Sequence, residues 1–317
     1  MTRPLTGFGG PLIDVRGAID MHVHSHPDIF PRLGDDIDLV TAARDAGLRA
    51  MVIKCHHENT VSRSYFANGA VQGIDVFGGI VLNSYVGFAN PAAVEVALKL
   101  GGKFVWMPTV DAAFHAEVHG GTGTLVGLSG GRVGGPTYTA LDEAGRLKPE
   151  LEEIIDLIAE HDAVLATAHL SPAEIRVLLP RAKERGVEHV VITHPFYKAP
   201  GLDLEQLKEL VEMGGIAELG YCDYSAMWHV GFIEEVVEAV EVLGAENCVL
   251  VSDCGQRHNP LPSEALRVYA QTVFEKGVSE EDVYTMIRDV PARILGLDAG
   301  SRPPAPTIPY WADETAG

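Results

Sequence analysis

The sequence predicts a single α/β domain of the (β/α)8 or TIM-barrel class. Its 317 residues are a length that such barrels fill as one domain. Eight short apolar runs alternate with amphipathic segments along the chain. The runs are apolar almost without interruption, as in parallel strands covered on both faces. We therefore expect one domain over residues 1–317, with a core at about 18–297 and a C-terminal tail at 298–317.

The eight predicted strands follow directly from these runs. Each run is rich in apolar residues. A polar or aromatic residue is its last residue or follows it directly, as expected where a strand emerges from the core. In chain order the runs are residues 18–24, 48–56, 76–83, 103–110, 163–169, 188–194, 216–221 and 248–253.

Helices are predicted between the strands. Residues 150–160 place apolar side chains at a three-and-four spacing, which gives one buried stripe. Ser171 and Pro172 have the pattern of an N-cap and first helical residue. The alternative architecture is a doubly wound open sheet. No GxGxxG follows the first strand, so a dinucleotide-binding version of that sheet is disfavoured.

A glycine-rich segment at residues 119–135 interrupts the alternation. It belongs to a long connection, residues 111–147, that follows the fourth predicted strand. Connections of this length in compact domains are lids or binding loops, or they are disordered. Both interpretations, a mobile flap over the site and a disordered loop, stay open here.

The charge of the chain restricts its partners. Asp and Glu number 44 against 24 Lys and Arg, a formal net charge of −20. Nucleic acids and anionic membranes require a basic face, so we expect neither as a partner. No apolar run is long enough to span a membrane, and the first residues lack a signal-peptide core. We expect a cytoplasmic homo-oligomer with a small-molecule substrate.

Histidine and aspartate stand at the ends of four predicted strands. His22 and His24 end the first strand, and a period of two puts both imidazoles on one side. His169 ends the fifth strand, His194 the sixth and Asp253 the eighth. The C-terminal ends of barrel strands meet at one rim. Imidazole and carboxylate together suit Zn, Mn or Fe, so the sequence predicts a divalent-metal site there.

The end of the second predicted strand carries further candidates. Lys54 lies deep in an apolar run, which is costly unless the ammonium is paired or functional. We predict that Lys54 acts at the site, by holding a substrate carboxylate or by polarising a carbonyl. His56 and His57 beside it, with Tyr221 and His115, are predicted to bind substrate.

These motifs resemble those of the amidohydrolase superfamily of metal-dependent hydrolases. The resemblance spans about residues 18–297. It implies that His22, His24, His169, His194 and Asp253 bind metal, and that Asp253 takes a proton from the attacking water. The motifs are Asp20-Met-His22-Val-His24, Thr167-Ala-His169, Thr193-His194-Pro195, Ser252-Asp253 and the closing segment Val290-Pro-Ala-Arg-Ile-Leu-Gly-Leu297.

One departure from the pattern concerns the number of metal ions. Two-metal members carry a bridging carboxylated Lys, or a Glu, on the fourth strand. The fourth strand here runs Met107-Pro-Thr109-Val-Asp111 and has neither residue, with Asp111 as an alternative bridge. We therefore expect one ion rather than two, with zinc as the first choice.

Three functions remain open from the sequence. The first is hydrolysis of an amide, cyclic imide, lactone or ester by metal-activated water, with Asp253, Lys54 and His194 as catalytic residues. The second is metal-dependent decarboxylation of an unsaturated or aromatic acid, which the position of Lys54 favours. The third is a metal-stabilised binding or structural subunit, which complete ligands on four strands disfavour.

Overall fold

A computed structural model describes residues 9–125, 128–129 and 135–298 of the chain. Each of the eight predicted runs contains a strand, and Asp75–Val81 holds two short ones separated by Gly78. The strands are β1 Ile19–Val23, β2 Ala50–Ile53, β3 Asp75–Phe77, β4 Gly79–Val81, β5 Phe104–Trp106, β6 Thr124–Leu125, β7 Leu128–Ser129, β8 Val164–Ala166, β9 His189–Thr193, β10 Gly215–Gly220 and β11 Cys248–Val251.

The parallel strands follow one another around a ring. Strands β1, β2 and β3 form one sheet, and β4, β5, β8, β9, β10 and β11 form a second in that order. The continuous chain at Gly78 joins the two sheets on one side. On the other side Val23 forms a parallel bridge with Cys254, and the His24 amide donates to the Cys254 carbonyl at 2.8 Å. The predicted (β/α)8 barrel is confirmed.

Close backbone packing explains the break between β3 and β4. A Cβ atom on Gly78 would lie 2.4 Å from the carbonyl oxygen of Thr60, and one on Gly79 would lie 2.1 Å from that of Phe104. Only glycine allows backbone to approach so closely, so the strand bends here and changes partner from β2 to β5.

Helices cover the outside of the barrel, and the predicted patterns are seen in them. The apolar stripe predicted within residues 150–160 is fully buried, and Ser171 is the N-cap of the next helix, in a capping box with Glu174. Helices are α1 Asp36–Asp45, α2 Val61–Ala70, α3 Pro91–Lys99, α4 Ala113–His119, α5 Pro149–Glu160, α6 Pro172–Glu184, α7 Leu204–Glu212, α8 Ile233–Leu243, α9 Pro262–Glu275, α10 Glu280–Tyr284 and α11 Val290–Leu295.

The long connection after β5 is only partly described. It holds α4 and the antiparallel pair β6 and β7. Residues 126–127 and 130–134 of the predicted flap, and the tail from residue 299, lie outside the described residues. Among the helices that are described, none has both the length and the apolar character needed to cross a membrane.

Candidate metal centre and its cavity

The C-terminal ends of the barrel strands surround one cavity of about 940 Å³, counting its open mouth. The strands below it are buried on both faces, which is why their sequences are continuously apolar. Polar side chains appear where the strands end and the cavity begins. The predicted site residues that line it are His22, His24, Lys54, His56, His169, His194 and Asp253.

Three of these side chains converge as ligands of one ion would. The Oδ1 atom of Asp253 lies 3.3 Å from His22 Nε2 and 3.2 Å from His24 Nε2. Their ligand atoms all lie within 4.8 Å of one another. Atoms about 2.1 Å from a tetrahedral zinc ion are about 3.4 Å apart, so the spacing fits a single divalent ion. His169 and His194 lie beside this group, with ring centroids 5.0 Å apart.

The histidines are held in the form that binds metal. Burial lowers the pKa of His22 and of His194 to about 3, and lowers the pKa of His24 and His169 well below the ordinary value. Neutral imidazoles keep a lone pair for a cation. The Nδ1 atoms of His24 and His194 are buried without a hydrogen-bond partner.

Glu218, inside β10, orients the first histidine. Its Oε1 lies 2.8 Å from His22 Nδ1, and both side chains are buried. This contact engages Nδ1 and leaves Nε2 facing Asp253, an arrangement typical of metal-binding histidines. Burial raises the pKa of Glu218 to about 8, with Lys54 opposing that shift.

The backbone at the strand ends is strained where the site lies. Ala168, His194 and Asp253 have φ values of 48°, 28° and 48°. Residues with a Cβ atom enter this left-handed region at a cost of about 1–2 kcal/mol. Such strain clusters at functional sites, where the surrounding structure imposes it. Each of the three lies at or next to a predicted ligand.

Lys54 lies beside the metal ligands. Its Nζ is 3.1 Å from His22 Nε2, and the side chain is fully buried. Burial lowers the pKa of Lys54 to about 8, while Asp253 and Glu218 oppose the shift. Asp111 is engaged elsewhere, because its Oδ2 accepts hydrogen bonds from the Ser84 amide and hydroxyl. In the described part of the chain, the alternative bridging carboxylate therefore does not line the cavity.

The four predicted substrate-binding residues occupy different places. His56 lines the cavity, stacked on His24 at 4.9 Å, with its Nδ1 2.9 Å from Thr109 Oγ1. The other three are not among the lining residues that the structure describes. His57 lies beside Phe30, and Tyr221 is directed toward Tyr269. His115 lies behind His169, with their Nδ1 atoms 2.7 Å apart.

Several residues that line the cavity were not predicted from the sequence. Tyr197, Trp228 and Phe30 are aromatic residues that line the cavity, and Asp223 lines the same space. Tyr197 follows the strand-end His194 by three residues, and its ring centroid lies 5.3 Å from that of the histidine. This short distance along the chain from a predicted ligand is a signal by which Tyr197 could have been found.

Replacing His56 by Asn should have a pH-dependent effect on stability. Burial lowers the pKa of His56 well below its ordinary value, so below about pH 6.5 the unfolded chain binds a proton that the folded protein excludes. The stability that neutral His56 contributes is present above that pH and is lost as the pH falls. The deficit of His56→Asn in unfolding free energy should be smaller at about pH 5 than at about pH 7.5, by up to about 2 kcal/mol. Urea denaturation of metal-free protein measures it, and an equal deficit at both pH values would contradict the burial effect.

Comparison with solved structures defines the class of fold. An amidohydrolase from Pseudomonas aeruginosa matches with a TM-score of 0.56 at 14% identity, over 90% of this chain and 97% of that one. An amidohydrolase from Burkholderia multivorans with bound zinc matches at 0.55 and 12%, over 88% and 99%. A 2,6-dihydroxybenzoate decarboxylase from Rhizobium matches at 0.52 and 11%, over 89% and 99%. The predicted resemblance to the amidohydrolase superfamily is confirmed in the fold.

A model of one sequence family matches most of the chain. Residues 17–218 match the model of DUF6282, a family of unknown function, and the chain belongs to that family. No curated protein matches the sequence. The function therefore has to be argued from the site.

Proposed function

We propose that this protein is a metal-dependent hydrolase that uses metal-activated water on a small organic substrate, an amide, cyclic imide, lactone or ester. One observation carries the proposal: the convergence of His22, His24 and Asp253 at the C-terminal ends of barrel strands. Their spacing and their neutral imidazoles fit a divalent ion, for which zinc is our first choice and Mn or Fe the alternatives. One ion is favoured over two.

The side chains around this centre have separate tasks in the proposed reaction. A bound divalent ion lowers the pKa of a coordinated water toward about 7. Asp253 would hold the ion together with His22 and His24, and its carboxylate would accept a proton from the attacking water. Glu218 fixes the orientation of His22. His169 and His194 are proposed as further ligands, with His194 also directed at the reacting group.

Lys54 supplies positive charge at the floor of the cavity. Its Nζ is within hydrogen-bond distance of His22, and its cavity position suits contact with a substrate carbonyl or carboxylate. The same position supports a second candidate, metal-dependent decarboxylation, in which Lys54 holds the substrate carboxylate. A decarboxylase is among the proteins of similar fold. Cytoplasmic location and homo-oligomeric assembly remain predictions from the sequence.

One experiment tests both candidates. Zinc-loaded protein is incubated in ¹⁸O-labelled water with a panel of amides, cyclic imides, lactones, esters and unsaturated or aromatic acids. Hydrolysis places one ¹⁸O atom in the product, whereas decarboxylation releases carbon dioxide and leaves the remaining product unlabelled. We expect ¹⁸O incorporation that chelation abolishes and zinc restores. Release of carbon dioxide with no ¹⁸O in the organic product would favour the decarboxylase. Turnover that survives complete metal removal would contradict both candidates.

A further inference from the structure

The wall of the cavity formed by Tyr197, Asp223 and Trp228 has no assigned task in the proposed reaction. Asp223 and Tyr197 are 5% and 6% exposed. Tyr197 lies in the segment between β9 and α7, Asp223 in the turn Tyr221–Tyr224 after β10, and Trp228 in the segment that leads to α8. All three line the cavity. Two loops therefore bring buried polar groups to one side of the space above the metal centre.

Neither polar group of this wall is satisfied by the protein. The Tyr197 hydroxyl is buried without a hydrogen-bond partner. Among the described residues, the Asp223 carboxyl makes no hydrogen bond and no ion pair, although its backbone carbonyl accepts from Val230. A buried polar group without a partner costs about 1–3 kcal/mol, and more if it is charged. The Tyr197 hydroxyl is such a group, and the carboxyl of Asp223, a residue that is 5% exposed, has no protein partner, so a ligand with complementary groups would satisfy both.

The surroundings of Asp223 decide which ligand would suit it. Burial raises the pKa of Asp223 well above its ordinary range, and the carboxyls of Asp253, Glu218 and Glu235 add to that rise. A carboxylate ligand would add negative charge beside the carboxyls of Asp253, Glu218 and Glu235. A ligand with an N–H group would suit the Asp223 carboxyl instead, because a carboxyl oxygen accepts N–H hydrogen bonds whether the carboxyl is ionised or not.

Tyr197 and Trp228 add a donor and an apolar surface. The Tyr197 hydroxyl is an O–H donor that has no hydrogen-bond partner in the structure, so it can donate to a ligand. The Trp228 ring lies 6.1 Å from the Tyr197 ring, and its Nε1 already donates to His258 Nε2 at 2.9 Å. The wall thus offers an acceptor and a donor side by side, next to an aromatic face.

We propose that Asp223 and Tyr197 form a substrate subsite for a nitrogen that donates hydrogen bonds, either an amide N–H or an ammonium group. The inference rests on the proposed function, because it takes this cavity as the place where substrate binds. It narrows the substrate class toward compounds that contain such a nitrogen beside an apolar or aromatic part. A carbonyl next to an amide nitrogen would accept from the Tyr197 hydroxyl.

Binding of three small probes tests the subsite without any turnover. Benzamide and benzylamine carry N–H donors, whereas benzonitrile has a similar shape and none. Dissociation constants are measured by NMR titration with zinc-loaded wild type and the variants Asp223→Leu, Asp223→Asn and Tyr197→Phe. Glu235→Gln is the control, since Glu235 is a neighbouring carboxyl that does not line the cavity.

Wild type should bind at least one nitrogen probe about tenfold more tightly than benzonitrile, the gain of a hydrogen bond to a buried carboxyl. Asp223→Leu should remove that advantage and leave the dissociation constant of benzonitrile within about twofold of its wild-type value. Glu235→Gln should leave the dissociation constants of all three probes within about twofold of wild type. Asp223→Asn keeps an acceptor oxygen but loses the charge, so loss of benzylamine alone identifies an ammonium site. Loss of benzamide in Tyr197→Phe, with benzylamine retained, identifies an amide site.

Two results would overturn the subsite. One is wild-type protein that binds neither nitrogen probe more tightly than benzonitrile. The other is an equal weakening of all three probes in the folded Asp223 variants, which is the result that a purely structural role produces. Failure of the proposed function appears differently, as absence of metal-dependent turnover across the substrate panel, and leaves this comparison of binding intact.

Discussion

Asp253→Asn should lower kcat/KM by about three orders of magnitude for the best substrate of the panel, the range that loss of a positioned proton acceptor produces. Asparagine has the same shape as aspartate, and it tolerates the left-handed backbone that φ of 48° imposes at this position. The change therefore removes the charge and the basic oxygen without removing the side chain. His22 and His24 then face a neutral amide group in place of the carboxylate, whose Oδ1 lies 3.3 and 3.2 Å from their Nε2 atoms.

Two measurements separate the tasks of Asp253. Metal content by mass spectrometry should fall in Asp253→Asn, and excess zinc should restore occupancy without restoring turnover. Asp162→Asn is the matched control, because Asp162 also has a positive φ, of 49°, but it precedes β8 at the opposite end of the barrel. Near-normal kcat/KM in the zinc-saturated Asp253 variant would show that this carboxylate is not the proton acceptor.

The fold was predictable because the physics behind it is local. Parallel strands buried on both faces must be apolar throughout, and helices on the outside must be apolar on one stripe. Both patterns stand in the sequence, as at residues 150–160, where the four apolar positions are all fully buried. The convergence of His22, His24 and Asp253 followed as well, since barrel topology brings strand ends together whatever the distance along the chain.

The rest of the site depends on side-chain directions that cannot be predicted from the sequence. Tyr221 was predicted to bind substrate as the end of a strand, but β10 ends at Gly220 and a tight turn begins at Tyr221. The alternation of strand side chains stops there, so its ring is directed toward Tyr269. Tyr197 lies in a connecting segment, where no periodicity predicts a direction. The contact between Lys54 and His22 depends on packing between strands β1 and β2.

Gly255→Ala should destabilise the protein by more than about 4 kcal/mol, at the upper end of single-residue effects. A Cβ atom on Gly255 would lie 1.7 Å from the carbonyl oxygen of His24, and the residue has φ of 133°, a backbone conformation restricted to glycine. The Gly255 carbonyl also accepts a hydrogen bond from the Leu33 amide, so a shift of this backbone would disturb that hydrogen bond as well.

Gly255→Ala should also weaken metal binding, because the added Cβ atom clashes with the backbone of His24, a proposed metal ligand. The His24 amide is bound to Cys254 at the point where the barrel closes, so any displacement there moves His24 away from Asp253. Gly186→Ala is the matched control: φ is 89°, and nothing lies within 4 Å of the added atom, so backbone strain alone should cost about 1 kcal/mol. Urea denaturation and zinc titration of both variants measure the difference. Equal stability of the two variants would mean that the close contact between Gly255 and His24 does not constrain the metal centre.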